Sequence, residues 1–131
     1  MSELMKAIIP EGTVWGVPDG VSMLAMKGWL AAARHLVYVA RDDARMMAMR
    51  DAMARLIPSV PVHVFPAWDC LPYDRLSPQN ALVGQRVETL ARLAEGDDTD
   101  HGGALLVTTV NALVQRVPTA GYFADRSLIL A

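Results

Sequence analysis

Short apolar runs alternate with helical patterns along most of this chain, and that alternation is what most limits its fold. Thr13–Gly16 (T-V-W-G), His35–Ala40 (H-L-V-Y-V-A), Val62–Phe65 (V-H-V-F), Ala104–Thr108 (A-L-L-V-T) and Ser127–Ala131 (S-L-I-L-A) have strand length and apolar content. Helical spacing fills the gaps between them. Strand-helix alternation repeated four times predicts an α/β fold, a mostly parallel sheet flanked by helices and joined by right-handed crossovers. At 131 residues, 53% of them hydrophobic, the chain is about one domain with a real core. It ends within a strand pattern. The expectation is therefore one α/β subdomain over residues 1–131, an N-terminal piece of a much larger multidomain protein. The pattern does not give the strand order.

The helices carry recognisable ends. A helix from about Val21 to Ala33 places Val21, Leu24, Gly28 and Ala32 on one face. A second runs from Arg41-Asp42-Asp43 to about Leu56, with Asp42 or Asp43 as cap and Met46, Met49, Met53 and Leu56 as its apolar stripe. A third starts near Ser77-Pro78-Gln79-Asn80, where Ser77 or Asn80 can cap and Pro78 is tolerated in the first turn. It runs to about Ala94 on a stripe of Val83, Val87, Leu90 and Ala94, with Gly96 placed to end it. Thr109 caps a short helix to about Arg116, before Pro118.

Charge and composition exclude several classes. A net charge of −2 and a pI near 5.8 leave no basic footprint, so direct nucleic-acid binding is not expected. Arg45, Arg50 and Arg55 are interleaved with Asp42, Asp43 and Asp51, which reads as a solvated charged face rather than a phosphate grip. No apolar run approaches a membrane span, and M-S-E-L-M-K is no secretory leader. A single cysteine allows no internal disulfide and fits a cytoplasmic protein.

Phe65–Asn80 (F-P-A-W-D-C-L-P-Y-D-R-L-S-P-Q-N) stands apart. Pro66, Pro72 and Pro78 rule out a regular helix, while Trp68 and Tyr73 argue against disorder. This is a long, rigid loop at a strand's C-terminal end. It holds the lone Cys70 and two acids, Asp69 and Asp74. Cys70 needs an activating base. No motif ties His35, His63 or His101 to it, and the two acids have simpler roles capping turns.

Elsewhere the chemistry is sparse. The first strand-helix turn is where an α/β nucleotide-binding protein carries its phosphate loop. Here Gly16, Gly20 and Ser22 look like a remnant of G-x-x-x-x-G-K-[ST], although an ordinary turn that never bound a nucleotide fits the same residues equally well. Val21 stands in the lysine place and Asp19 puts negative charge where phosphate would sit. The Ala104–Thr108 strand ends in threonines, not in acids that could hold magnesium. Asp97, Asp98, Asp100 and His101 match neither a calcium nor a zinc spacing. Neither cofactor nor metal is expected.

Three runs carry a resemblance. The first is W-D-C-L-P-Y-D-R-L-S-P from Trp68. The second is Gln85-Arg86-Val87 with Thr89-Leu90. The third runs Leu106-Val107-Thr108-Thr109-Val110-Asn111-Ala112-Leu113-Val114-Gln115-Arg116. Together they closely resemble the N-terminal region of bacterial transcription-repair coupling factors. That family shares W-[DE]-x-L-P-Y-D-x-x-S-P, an arginine-leucine helix and an N-x-L-x-Q-R helix. The match covers roughly Ala40 to the C-terminus.

The resemblance implies a module similar to the B component of excinuclease ABC, whose first subdomain is a degenerate helicase-motor-like (RecA-like) fold. The parent would be a cytoplasmic ATP-driven translocase on duplex DNA that displaces stalled RNA polymerase and recruits the A component of excinuclease ABC. The contact with the A component would fall beyond Ala131. Gln79-Asn80 passes directly into a helix, leaving no room for the DNA-gripping hairpin of the B component. The subdomain itself would be non-catalytic and would contact other domains of its own chain. Trp68, Leu71, Tyr73, Asp74 and Arg86 are the candidate interdomain contacts, against local packing under the loop as the plainer role. The competing reading is a small α/β enzyme that binds a nucleotide or phosphate ligand through an atypical loop at Gly16–Ser22.

Overall fold

The computed structural model describes residues 16–32, 35–69, 79–95, 103–119 and 121–122. Seven elements follow in order: α1 (Asp19–Ala32), β1 (His35–Ala40), α2 (Asp43–Leu56), β2 (Val62–Phe65), α3 (Asn80–Glu95), β3 (Ala104–Thr109) and α4 (Val110–Leu113). The three strands form one parallel sheet in the order β1-β3-β2. His35 pairs with Ala104 and Ala40 with Thr109, while Val62 pairs with Leu105 and Phe65 with Thr108. The α/β expectation stands. The first and fifth expected strands, Cys70–Pro78 and Gly96 fall outside the described residues, Gly16 excepted.

Chain direction sorts the helices. The path runs from β1 out to β2 and back to β3 between them. Right-handed crossovers therefore put α2 and α3 on opposite faces of the sheet. Side chains alternate between those faces along each strand. One face carries Leu36, Tyr38, Val64, Leu105 and Val107, packed with Met26, Leu30, Met46, Met49 and Met53 of α1 and α2. The other face carries Phe65 and Thr108, with α3 lying against β2. β3 is central and covered on both sides, with Leu105, Val107 and Thr108 wholly buried.

Local chemistry places the ends. Asp42 is the N-cap of α2: its carboxylate accepts the Arg45 backbone N–H at 2.8 Å and satisfies an orphan donor of the first turn. Thr109 does the same for α4 through Ala112. α3 begins at Asn80 itself, and the Gln79 carbonyl accepts from Leu82 and Val83, so Asn80 is a first-turn residue rather than a cap.

Four expectations are corrected. α1 starts at Asp19, and its buried residues are Ala25, Met26 and Leu30, while Val21 and Leu24 are exposed. The helix is apolar nearly all round, so periodicity alone could not choose its inner face. Leu56 lies outside the methionine core, lining a shallow groove with Gly20, Met23, Leu24, Ala52 and Arg55. On α3 the fully buried side chains are Arg86 and Thr89, whereas Val87 of the expected stripe is 47% exposed. β1 is not covered on both faces. Val37 and Val39 are 54% and 40% exposed, because β1 pairs only with β3 among the described residues and α3 lies over β2.

Candidate functional site

The proline-rich loop leaves β2 over the face that α3 covers. Arg86 is 2% exposed there. Its guanidinium stacks between two rings, 4.1 Å from the centroid of Phe65 and 4.3 Å from that of Trp68. The planar, weakly hydrated guanidinium suits such a slot, where an ammonium would not lie flat. Nη1 donates to the Pro66 carbonyl and, at 3.1 Å, to Oε1 of Gln115. The same Gln115 oxygen accepts the Trp68 backbone N–H at 3.0 Å. Two threonines complete the clamp. Thr89 Oγ1 donates to the Val64 carbonyl and Thr108 Oγ1 to the Phe65 carbonyl, each at 2.8 Å.

Chemically this is a brace. Every acceptor named is a backbone carbonyl or an amide, and burial pushes the Arg86 pKa down from its ordinary value. The group stays charged at neutral pH all the same. Arg86 is turned inward within the chain. It holds the first residues of the loop to α3 and to the segment after α4. Trp68 is half-buried on the guanidinium, and Asp69 is exposed. Cys70, Leu71, Tyr73 and Asp74 lie outside the described residues. Sequence reasoning assigns Gln115 no role of its own, although it sits in the N-x-L-x-Q-R run. Its position in that run is the signal that could have found it.

The Gly16–Ser22 turn has a different character. Gly16 has φ +68°, the left-handed conformation that favours glycine. The next residues enter α1 directly, and the Pro18 carbonyl accepts from the N–H groups of Val21 and Ser22. Asp19, the first residue of α1, grips the guanidinium of Arg45 on α2 with both carboxylate oxygens, one of them 2.6 Å from Nη1. Hydrogen bonding from Arg45 holds the Asp19 carboxyl below its usual range, and the Arg45 pKa is raised in turn, first by Asp19 and then by Tyr38. Arg45 is thus tied between helices on a face that stays exposed to solvent. Arg50 pairs with Asp51, and Arg41 with Asp42.

Among the described residues no group of three His, Cys, Asp or Glu side chains could hold a metal ion. No described helix is long and apolar enough to cross a membrane. Asp97, Asp98, Asp100 and His101 are outside the described residues.

The chain is similar to curated transcription-repair-coupling factors. It is 29% identical to that of Rickettsia bellii over 94 residues, 72% of this chain and 8% of the relative. It is 35% identical to that of Rickettsia prowazekii over 69 residues, 53% of this chain and 6% of the relative. With that of Mycobacterium bovis it shares 45% over 56 residues, 41% of this chain and 4% of the relative. The matched stretch is thus less than a tenth of each relative's length. No family model matches the chain. No solved structure matches it either.

Proposed function

Because this chain is similar to a short stretch of the transcription-repair-coupling factors, we propose that it is a non-catalytic structural and interaction subdomain of such a protein. In this reading it is a helicase-motor-like unit without working nucleotide motifs, set in the N-terminal module similar to the B component of excinuclease ABC. The parent is cytoplasmic and ATP-driven, moves on duplex DNA, displaces stalled RNA polymerase and brings in the A component of excinuclease ABC. The subdomain itself binds neither nucleotide nor DNA. It packs on other domains of the same polypeptide.

One observation carries the reading. Trp68, Arg86 and Gln115 come from the three runs that bear the resemblance, and they meet in a buried brace rather than around an open cleft. The brace fixes where the loop leaves the sheet. Leu71, Tyr73 and Asp74, which follow in the same loop, are with Trp68 the residues assigned to the docking face. The exposed Val37 and Val39 are further apolar surface for a sister domain to cover.

Calorimetric titration of the chain with ATP and magnesium tests the absence of catalysis. No binding tighter than about millimolar, roughly −4 kcal/mol, is expected. Tighter binding would replace this reading with the small phosphate-ligand enzyme. Tyr73→Ala in the full-length parent tests the docking face. Weakened packing of this subdomain on its neighbours, seen as faster limited proteolysis at its boundary, is expected, and unchanged proteolysis removes Tyr73 from the contact.

A further inference from the structure

The Asp19–Arg45 contact lies where an α/β protein usually binds its ligand, in the crevice outside the C-terminal ends of the strands. Tyr38 near the end of β1, Arg41 just after it and Arg45 in the first turn of α2 line a crevice of about 380 Å³. That is ample for a phosphate. The two terminal nitrogens of Arg45 form the fork that binds carboxylate or phosphate in a bidentate way. Both are taken by Asp19, which reaches across from α1, 26 residues earlier in the chain. Arg41 holds Asp42 through Nε at 2.8 Å and remains at the crevice, its side chain 88% exposed.

We propose that the Arg45 fork at the edge of this crevice is an anion subsite whose resident ligand is the chain's own Asp19, the carboxylate taking the bidentate place a phosphoryl group would take on Arg45 while the crevice beside it stays open. The nucleotide silence of the Gly16–Ser22 turn then has a specific cause. The missing lysine at Val21 matters less than the carboxylate two residues earlier, which occupies the cation and repels any incoming phosphate. The contact also ties the start of α1 to the first turn of α2, so the internal ligand does structural work that a bound anion would otherwise do. With the lowered carboxyl pKa, the site stays filled throughout the neutral range and into mild acid. The class of ligand excluded is inorganic phosphate and phosphate monoesters.

The test is titration of the 131-residue chain with inorganic phosphate at low ionic strength, where exposed charges are least screened. Calorimetry and the shift of thermal unfolding give the readout. Asp19→Ala and the near-isosteric Asp19→Asn empty the site, so that a folding failure of the first leaves the second. Both should show saturable phosphate binding, at least about tenfold tighter than any binding to the unaltered chain. Adding Arg45→Ala to Asp19→Asn should abolish it. Val21→Lys alone, with Asp19 kept, should bind no better than the unaltered chain.

Three results overturn the proposal. One is a folded Asp19→Asn chain with no saturable binding. Another is binding that survives Arg45→Ala. The third is a gain from Val21→Lys alone. Each leaves the interdomain reading standing, since for phosphate ligands that reading predicts only that the unaltered chain is silent.

Discussion

The two faces of the sheet are built on different principles. On one, four methionines from α1 and α2 fill the space over Leu105 and Val107, and apolar volume is the chief content of the packing. Methionine adapts to irregular gaps, so such a face tolerates exchange of one apolar side chain for another of similar size. On the other face the buried side chains of α3 are an arginine and a threonine. They are held by a glutamine, two rings and backbone carbonyls. That face depends on shape and donor count. It leaves Val37 and Val39 half exposed and contains Trp68, Arg86 and Thr89, three of the residues that carry the resemblance. The filled face gives the unit its stability, and the braced face sets the course of the loop.

Substitutions can break this contrast. The largest loss is expected for Met49→Ala, which removes a wholly enclosed side chain: about 3 kcal/mol, within the usual range of roughly 2–5, read from urea unfolding. A loss below that of the arginine variant would reverse the ranking of the faces. Arg86→Ala should cost about 2 kcal/mol, since it empties the slot between the rings and leaves the buried Pro66 carbonyl without its donor. Arg86→Lys should recover less than half of that, because an ammonium cannot stack between Phe65 and Trp68. Full recovery by lysine would mean that charge alone holds the loop.

Thr108→Val keeps the shape and removes one buried donor, costing the Phe65 carbonyl its side-chain partner while the backbone ladder bond of the β2–β3 pair remains, so about 1 kcal/mol or less is expected in the same melts. A neutral result would show that the braced face tolerates apolar substitution as the methionine face does.

The smallest effect is the acid response of the α1–α2 end. Asp19 and Asp42 have folded-state pKa values below the ordinary carboxylate value, Asp19 chiefly through the Arg45 side chain and Asp42 chiefly through the Arg45 backbone N–H. A lowered folded pKa gives stability that is complete above the unfolded value of about 4 and is lost as pH falls through the folded one. Melting temperature should therefore fall below about pH 4. Asp19→Asn with Asp42→Asn should flatten that part of the curve. An unchanged slope would place the acid sensitivity elsewhere.

Much of the fold was legible locally. The bounds of β1 and β2 coincide with the apolar runs His35–Ala40 and Val62–Phe65, because glycine-, proline- and aspartate-bearing segments punctuate them. The α2 cap, narrowed to Asp42 or Asp43, and the Met46, Met49, Met53 stripe were equally readable, since both depend on residues three or four apart. The inner face of α1 was not, because no polar side marks the outer one. The inward turn of Arg86 was not legible either, since an arginine on a helix ordinarily reads as solvent-facing. Gln115 joins Trp68 across 47 residues and Arg86 across 29, separations at which no periodicity speaks.

By itself, then, the sequence determined the kind and order of the elements, the methionine stripe of α2, the absence of a lysine from the Gly16–Ser22 turn and the resemblance. Tertiary structure alone decided that β3 lies between β1 and β2, that Val37 and Val39 stay partly exposed, that Arg86, Trp68 and Gln115 converge, and that Asp19 closes on Arg45. The physical reason is range. Caps, turns and amphipathic spacing are settled by neighbours within a turn or two. Strand order and the pairing of buried polar groups are settled by crossovers that bring together residues tens of positions apart.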